Sequence, residues 1–288
     1  MLESIVNPMR DKKGPLKMFF IGMVYASLSL LLVKWFFTSD PVLSQYSGMI
    51  VVLFCVMFSL PFFFYIIKQE EDEDEKVVGF LSVWQIHKDA IFSFMWLFMG
   101  FIVAFSFWFI VLQDSTLFNA QIETFCRINS PGDLEGCVSR YDFMGQTPEL
   151  DTTGSATNGI RFLSIIENNV YVMIFTLLLS LIFGAGAIFV LAWNASVIAA
   201  AISIFTQHTL KGIPLGISRY MIHGFPEIAA YFITALAGGI FGVGVLRNGI
   251  QGKRFIHVLE NAVILLFIAL IVLVLAALME VYLTPLLF

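Results

Sequence analysis

The sequence predicts an all-α fold, a polytopic bundle of about seven apolar segments with the N-terminus inside. Three observations predict it. First, 59% of the 288 residues are hydrophobic and only 13% are charged, where soluble chains carry about 45–50% apolar and about 25% charged residues. Second, the charges are unevenly placed, leaving stretches of about 20 residues with hardly any, which is the length a helix needs to cross a bilayer. Third, Phe alone occurs 31 times, in keeping with the apolar excess. Soluble, fibrous, disordered and nucleic-acid-binding classes are thereby set aside. The net charge of −5 is local: much of it comes from the run Glu70-Glu71-Asp72-Glu73-Asp74 and the following Glu75. No basic patch points to a polyanion, so nucleic acid is not an expected partner.

The elements follow in order. Arg10, Lys12, Lys13 and Lys17 precede an apolar run. A signal peptide would look similar, but no small-residue cleavage site follows, so residues 18–37 read as a retained first span. Thr38-Ser39-Asp40-Pro41 is turn-like and leads into a second span at 46–67, making a hairpin. The acid run then belongs to a solvated loop. After it, Val77 to Asp89 reads as an amphipathic lead-in along the interface, and 90–112 is the third span. Residues 162–206 carry one acid, Glu167, and are too long for one helix. Gly184, Gly186 and Trp193-Asn194 are the candidate turns, which puts span four at 168–191 and span five at 195–208. The fifth is short, either a brief crossing or a re-entrant piece buried by neighbours. Spans six and seven fall at 224–246 and 257–279.

Basic residues gather in loops on the inner side. With the N-terminus inside, Arg10, Lys12, Lys13, Lys17, Lys68, Lys76, Lys88, Arg247, Lys253 and Arg254 lie inside, against Lys34, Lys211 and Arg219 outside: ten against three. A re-entrant fifth segment changes this to nine against four, so the bias favours seven crossings. Residues 113–161 then form a polar outer loop with turn signals at Pro131-Gly132-Asp133. Of three cysteines, Cys55 reads as a small buried hydrophobe. Cys126 and Cys137 share the outer loop and are expected to pair if it meets an oxidising compartment. Two parts result: residues 1–89, a hairpin plus acidic loop, and residues 90–288, a membrane domain with the outer loop.

Ionisable and strongly polar groups at membrane depth are functional candidates by default. Here they are Glu167, Asn168, Asn169, Asn194, His223, Glu227, Glu260 and Glu280, all near predicted span ends or turns. Glu167-Asn168-Asn169 would cap span four, with its negative charge suited to a helix start. His223-Gly224-Phe225-Pro226-Glu227 would open span six, with Pro in the first turn. Glu260-Asn261 would open span seven and Glu280 close it. His223 and Glu227 stand four residues apart, but no third ligand is near, so no metal site is expected. Gly184, Gly186, Gly238 and Gly242 are packing candidates. The last two have GxxxG spacing, which lets helices approach closely in lipid. Internal packing is the plain reading, a homo-oligomer seam the sharper one. No nucleophile–base constellation, metal motif or phosphate loop is present, so neither an enzyme nor a cofactor is expected.

Glu167-Asn168-Asn169 before an apolar run with Gly184 and Gly186, Asn194 in the double apolar region, His223-Gly224-Phe225-Pro226-Glu227, and the terminal Glu280-Val281-Tyr282-Leu283-Thr284-Pro285 occur in an order that resembles the stage II sporulation protein M family. The resemblance covers roughly residue 90 to the C-terminus and leaves the N-terminal hairpin and acid run outside. The sequence departs from the family pattern at Ala195 and Ala199, where members often have Gly. The resemblance implies a multi-pass protein of the cell membrane without known catalysis. Its bacterial namesake acts as a scaffold that holds cell-wall hydrolases during engulfment. The expected function is therefore a membrane scaffold or assembly protein, in contact with the lipid bilayer and with membrane or extracellular proteins not named by the sequence. A transporter or channel built on the broken-helix region 184–208 is the alternative.

Overall fold

The structure is a computed structural model that describes residues 15–74, 80–129, 133–142, 158–183, 187–207, 209–248 and 253–287. Those residues form helices and their connections, with no strand among them. Ten α-helices are numbered here in chain order: α1 Pro15–Phe36, α2 Ser47–Asp74, α3 Phe80–Leu112, α4 Asn119–Asn129, α5 Leu134–Asp142, α6 Asn158–Phe183, α7 Ile188–Phe205, α8 Ile213–Asn248, α9 Lys253–Leu278 and α10 Thr284–Leu287, with a π-helical turn at Met279–Leu283 between the last two. Seven of them (α1, α2, α3 and α6 to α9) are long and apolar enough to cross a membrane. The protein is an all-α, multi-pass membrane protein.

The core is aromatic and sits where α2, α3 and α8 meet. Phe63 stacks on Phe94 with ring centroids 4.2 Å apart, and Phe232 lies 5.4 Å from Phe94. Such pairs contribute about 0.5–1.5 kcal/mol beyond the area they bury. α8 is the most enclosed span and α6 the most peripheral. The outward faces of α1, α6 and α9 carry Phe20, Val24, Leu163, Leu178, Val263 and Phe267, all exposed. An apolar surface of this extent suits lipid rather than water.

Small residues set the closest crossings. Gly238 and Gly242 face α6: a Cβ on Gly238 would stand 2.9 Å from Ser180 Cβ, and one on Gly242 2.7 Å from the Leu181 carbonyl oxygen. Ser180 Oγ donates to the Ala235 carbonyl across the same seam. The GxxxG pair thus seats a helix of the same chain. Gly184 and Gly186 lie outside the described residues.

Several boundaries differ from expectation. α2 runs on through Asp74 rather than ending near residue 67, so Glu70 to Asp74 are helix rather than loop, and α3 begins by Phe80, so residues 80–89 of the lead-in are continuous with span three; residues 75–79 lie outside the described residues. Span four begins at Asn158, ten residues early, because the intervening Ile160, Phe162, Leu163, Ile165 and Ile166 continue the apolar pattern. Glu167, Asn168 and Asn169 therefore lie inside α6 and do not cap it. The shift moves the fifth span to Ile188–Phe205 and puts Asn194 inside it rather than at a turn. Asn194 Nδ2 donates to the Val190 carbonyl at 2.7 Å, so its amide is satisfied within its own helix. At 18 residues α7 is about 27 Å long, close to the ~30 Å hydrocarbon core. α8 starts at Ile213 with Pro214 in its first turn, so Pro226 is an internal proline and His223 and Glu227 lie within the helix. α9 starts at Lys253, so Glu260 and Asn261 lie about two turns into it rather than at its start.

Candidate functional site

Two polar clusters occupy opposite ends of the bundle. The first lies at the end that carries α4 and α5. On α8 the residues His223, Glu227 and Tyr231 recur every four positions and so share one face. Tyr231 donates its hydroxyl to Glu227 Oε1 at 3.0 Å, and His223 Nδ1 meets Thr284 Oγ1 at 3.1 Å. Thr284 closes the π-helical turn, its hydroxyl donating to the Met279 carbonyl five residues back. That turn also presents Glu280, near enough to Glu227 to repel it, while Arg161 of α6 is within electrostatic reach of Glu280 and His223. Arg219 approaches His223 as well, and its guanidinium lies 4.5 Å from the Phe205 ring centre. Both helices are irregular at this level. Pro226 has no N–H for the carbonyl four residues earlier, and the π turn widens the chain around Glu280.

Three residues expected from sequence, His223, Glu227 and Glu280, are brought together here. The others are not. Glu167 and Asn168 are exposed on α6. Asn169 is buried and accepts from Asn168 Nδ2 at 3.4 Å. Asn194 is absorbed by α7, and Glu260 is exposed near the far end of α9.

The second cluster was not expected. On α2 the buried positions Cys55, Ser59, Phe62, Phe63 and Ile67 continue at helical spacing into Glu70, Glu71 and Asp74. On α3 the stripe Val83, His87, Ile91, Phe94 is buried in the same way. These two stripes meet. His87, wholly buried, lies between two carboxylates: Nδ1 is 2.7 Å from Glu70 Oε2 and Nε2 is 3.0 Å from Asp74 Oδ1. From α9, His257 Nε2 and Asn261 Nδ2 donate to the Asp74 backbone carbonyl at 3.2 and 3.5 Å. A helical wheel drawn through the acid run would have revealed this face. The concentration of charge concealed it, because such runs are ordinarily solvated. Among the described residues no group of three or more His, Cys, Asp or Glu could hold a metal ion.

Beside the first cluster, α4 and α5 form a cap. Cys126 and Cys137 are joined by a disulfide. Lys34 of α1 pairs with Asp114. Asn119 accepts from the Gly48 backbone N–H at 3.2 Å and donates to the Gln45 carbonyl at 2.7 Å. Gln121, fully buried, donates to the Gly48 carbonyl at 3.0 Å and to Ser196 Oγ at 3.1 Å. The cap is therefore fastened to α1, α2 and α7.

A family model described as Stage II sporulation protein M matches residues 16–285. The match takes in the α1–α2 hairpin and the acid run, which the sequence resemblance had left outside. No curated protein and no solved structure matches the chain.

Proposed function

The chain belongs to the stage II sporulation protein M family, and from that premise we propose that it works in the cell membrane as a scaffold or assembly protein without catalysis of its own. The observation that carries this reading is the cap. A disulfide closes it, and Lys34, Asn119 and Gln121 tie it to three spans. Such a cap presents a fixed surface, including exposed Glu123 and Ile128, beyond the membrane helices. Rigid presentation lowers the ordering cost of binding a partner. The partner is a membrane or extracellular protein, or a second copy of the chain.

Photo-crosslinking from native membranes tests it. Crosslinkers at positions 123 and 128 should give discrete protein adducts, while one at lipid-facing position 178 should not. Absence of any protein adduct at the cap would overturn the proposal.

The transporter alternative draws on a helix broken across Gly184–Asn194 and a short fifth segment; α7 is continuous through Asn194, and Gly184 and Gly186 lie outside the described residues. A groove of about 320 Å³ between α6, α8 and α9 is lined by apolar side chains such as Met173, Leu177 and Phe267, and neither Asn194 nor Glu167 lines it. What still favours transport is the carboxylate pair Glu227 and Glu280 within the helices, since ionisable groups at that depth often mark ion paths. Vesicle flux that is lost in E227Q would support that reading over the scaffold.

A further inference from the structure

We propose that the seam between α6, α8 and α9 seats one aminophospholipid of the leaflet on the cap side: its phosphate on Arg161, its ammonium on Glu227 and Glu280, and one acyl chain in the apolar groove below.

The seam is polar at one end and apolar along the rest. α6 and α8 run parallel in a fixed register. A Cβ on Gly238 would stand 3.1 Å from the Leu177 carbonyl oxygen, and one on Gly242 2.7 Å from that of Leu181. Continued outward, this register sets Met173 beside Thr234 and Arg161 close to the level of His223. Met173 and Thr234 both line the groove of about 320 Å³, together with Val263, Phe267 and Leu270 of α9. Those three α9 residues are exposed, so the groove opens to lipid. Thr234 lies seven residues inward from Glu227. The two therefore share a face of α8, and the groove starts about 10 Å below the carboxylate residue.

Asn169 joins the two ends. It stands four residues before Met173 and eight before Leu177, hence on the groove face of α6, at a level between Glu227 and Thr234. It is only 5% exposed. Its carbonyl oxygen accepts from Asn168 Nδ2 at 3.4 Å, but its own Nδ2 donates to no described residue. A buried donor without an acceptor is costly, and at this level a lipid places its glycerol and ester oxygens.

Charge selects the headgroup. Among the described residues the cluster holds two guanidinium groups, Arg161 and Arg219, and two carboxylates, Glu227 and Glu280. Tyr231 donates to Glu227 Oε1. No described cation lies within 4.0 Å of either carboxylate, and Arg161 acts on Glu280 from further off. Arg219 rests on the Phe205 ring. That leaves Arg161 for the phosphate, whose oxygens a guanidinium matches in pairs. An anionic headgroup would set its phosphate against two carboxylates, and a purely cationic lipid would leave Arg161 without a counter-charge. A headgroup with both charges satisfies each. A primary ammonium offers three donors where a quaternary one offers none, so the site favours ethanolamine over choline.

The test is native mass spectrometry of the full chain released from detergent micelles, with phosphatidylethanolamine, phosphatidylcholine and phosphatidylglycerol supplied at equal concentration. One phosphatidylethanolamine should be retained about tenfold more strongly than either of the others, the scale of one charge-assisted hydrogen bond. E227Q with E280Q should bring it down to the level of phosphatidylcholine. R161Q should weaken all three lipids alike. V263W, which fills the groove from its lipid-exposed side, should weaken retention and keep the headgroup preference. L178W, on the exposed face of α6, should change nothing. Should a variant fail to fold, the wild-type ranking decides alone. Equal retention of the three lipids, or preference for either of the other two, would overturn the seat. So would V263W that binds like wild type, or soluble phosphoethanolamine that displaces the lipid as well as free lipid does.

Discussion

Gly22 and Gly100 meet backbone to backbone where α1 crosses α3. A Cβ placed on Gly100 would stand 3.1 Å from Gly22 Cα and 2.9 Å from the Met23 amide nitrogen, and one placed on Gly22 would strike the Leu97 carbonyl. The obstacles are main-chain atoms of two long helices, and they cannot rotate aside as a side-chain end can. G100A and G22A should each lower stability by about 1–3 kcal/mol, the usual range for overpacking. Gly159, on the exposed first turn of α6, has nothing within 4 Å. G159A should be neutral or stabilise by up to about 1 kcal/mol through helix propensity. Thermal unfolding of the three variants in one detergent checks the contrast, and equal midpoints for G100A and G159A would contradict it.

The cap gives a second prediction. Gln121 donates to Gly48 and to Ser196, linking α4 to α2 and α7. Q121L removes both bonds and leaves the Gly48 carbonyl without that donor, a loss of about 1–3 kcal/mol. The disulfide closes a short loop, with 11 residues of sequence separation, so C126S with C137S should cost roughly 3 kcal/mol on the chain-entropy account. Both changes should loosen α4 and α5 while the spans keep their packing. Limited proteolysis should therefore cut between residues 113 and 157 faster than in wild type and leave the remaining fragments intact. General fragmentation of the spans would show that the cap is integral to the bundle and not fastened onto it.

How far the sequence disclosed this arrangement depended on what each residue does to hydropathy. Long uncharged runs marked all seven spans, because lipid demands them. Polar residues inside a span resemble ends, since Glu167, Asn194 and Pro226 each interrupt the apolar pattern. In the structure each is tolerated within a helix: Glu167 is exposed, Asn194 bonds its own helix carbonyl, and Pro226 lies beside a second irregular turn. The acid run failed for the opposite reason. Its periodicity agreed with the buried face of α2, but its composition argued for solvent, and only the position of His87 on another helix resolves the conflict. The joining of His223, Glu227 and Glu280 is a matter of tertiary packing between α8 and the π turn, which spacing along the chain does not encode.

Asp114 supplies a pH prediction. Burial by itself would raise its pKa, but hydrogen bonds from Lys34 and Thr116, with the lysine's charge, outweigh that and hold it below the ordinary carboxylate value. A carboxyl depressed in the folded state stabilises the fold above its unfolded pKa, and that contribution is lost as pH falls through the folded value. The Lys34–Asp114 tie should therefore be fully present at neutral pH and weaken only on strong acidification. K34M should be less stable than wild type at neutral pH, and the gap should narrow below the ordinary carboxylate range. A gap that stays constant down to strongly acidic pH would mean that Lys34 acts through packing of its chain and not through this pair.

Sidedness is the remaining prediction, and it follows from counting. Seven crossings put the two ends of the chain on opposite sides of the membrane. The excess of lysine and arginine at Lys12, Lys13, Lys17, Lys68, Lys88, Lys253 and Arg254 puts the N-terminal side inside. The disulfide and its cap then face outward, and the cluster of His87, Glu70 and Asp74 faces the cell interior. Single cysteines at positions 12 and 253, in a chain lacking Cys55, should resist a membrane-impermeant thiol reagent in intact cells and react after lysis. A cysteine at position 287 should react in intact cells. If position 253 labels from outside while position 12 does not, one segment between them fails to cross. The 18-residue α7 would then be the segment at issue, because it is the shortest of the seven.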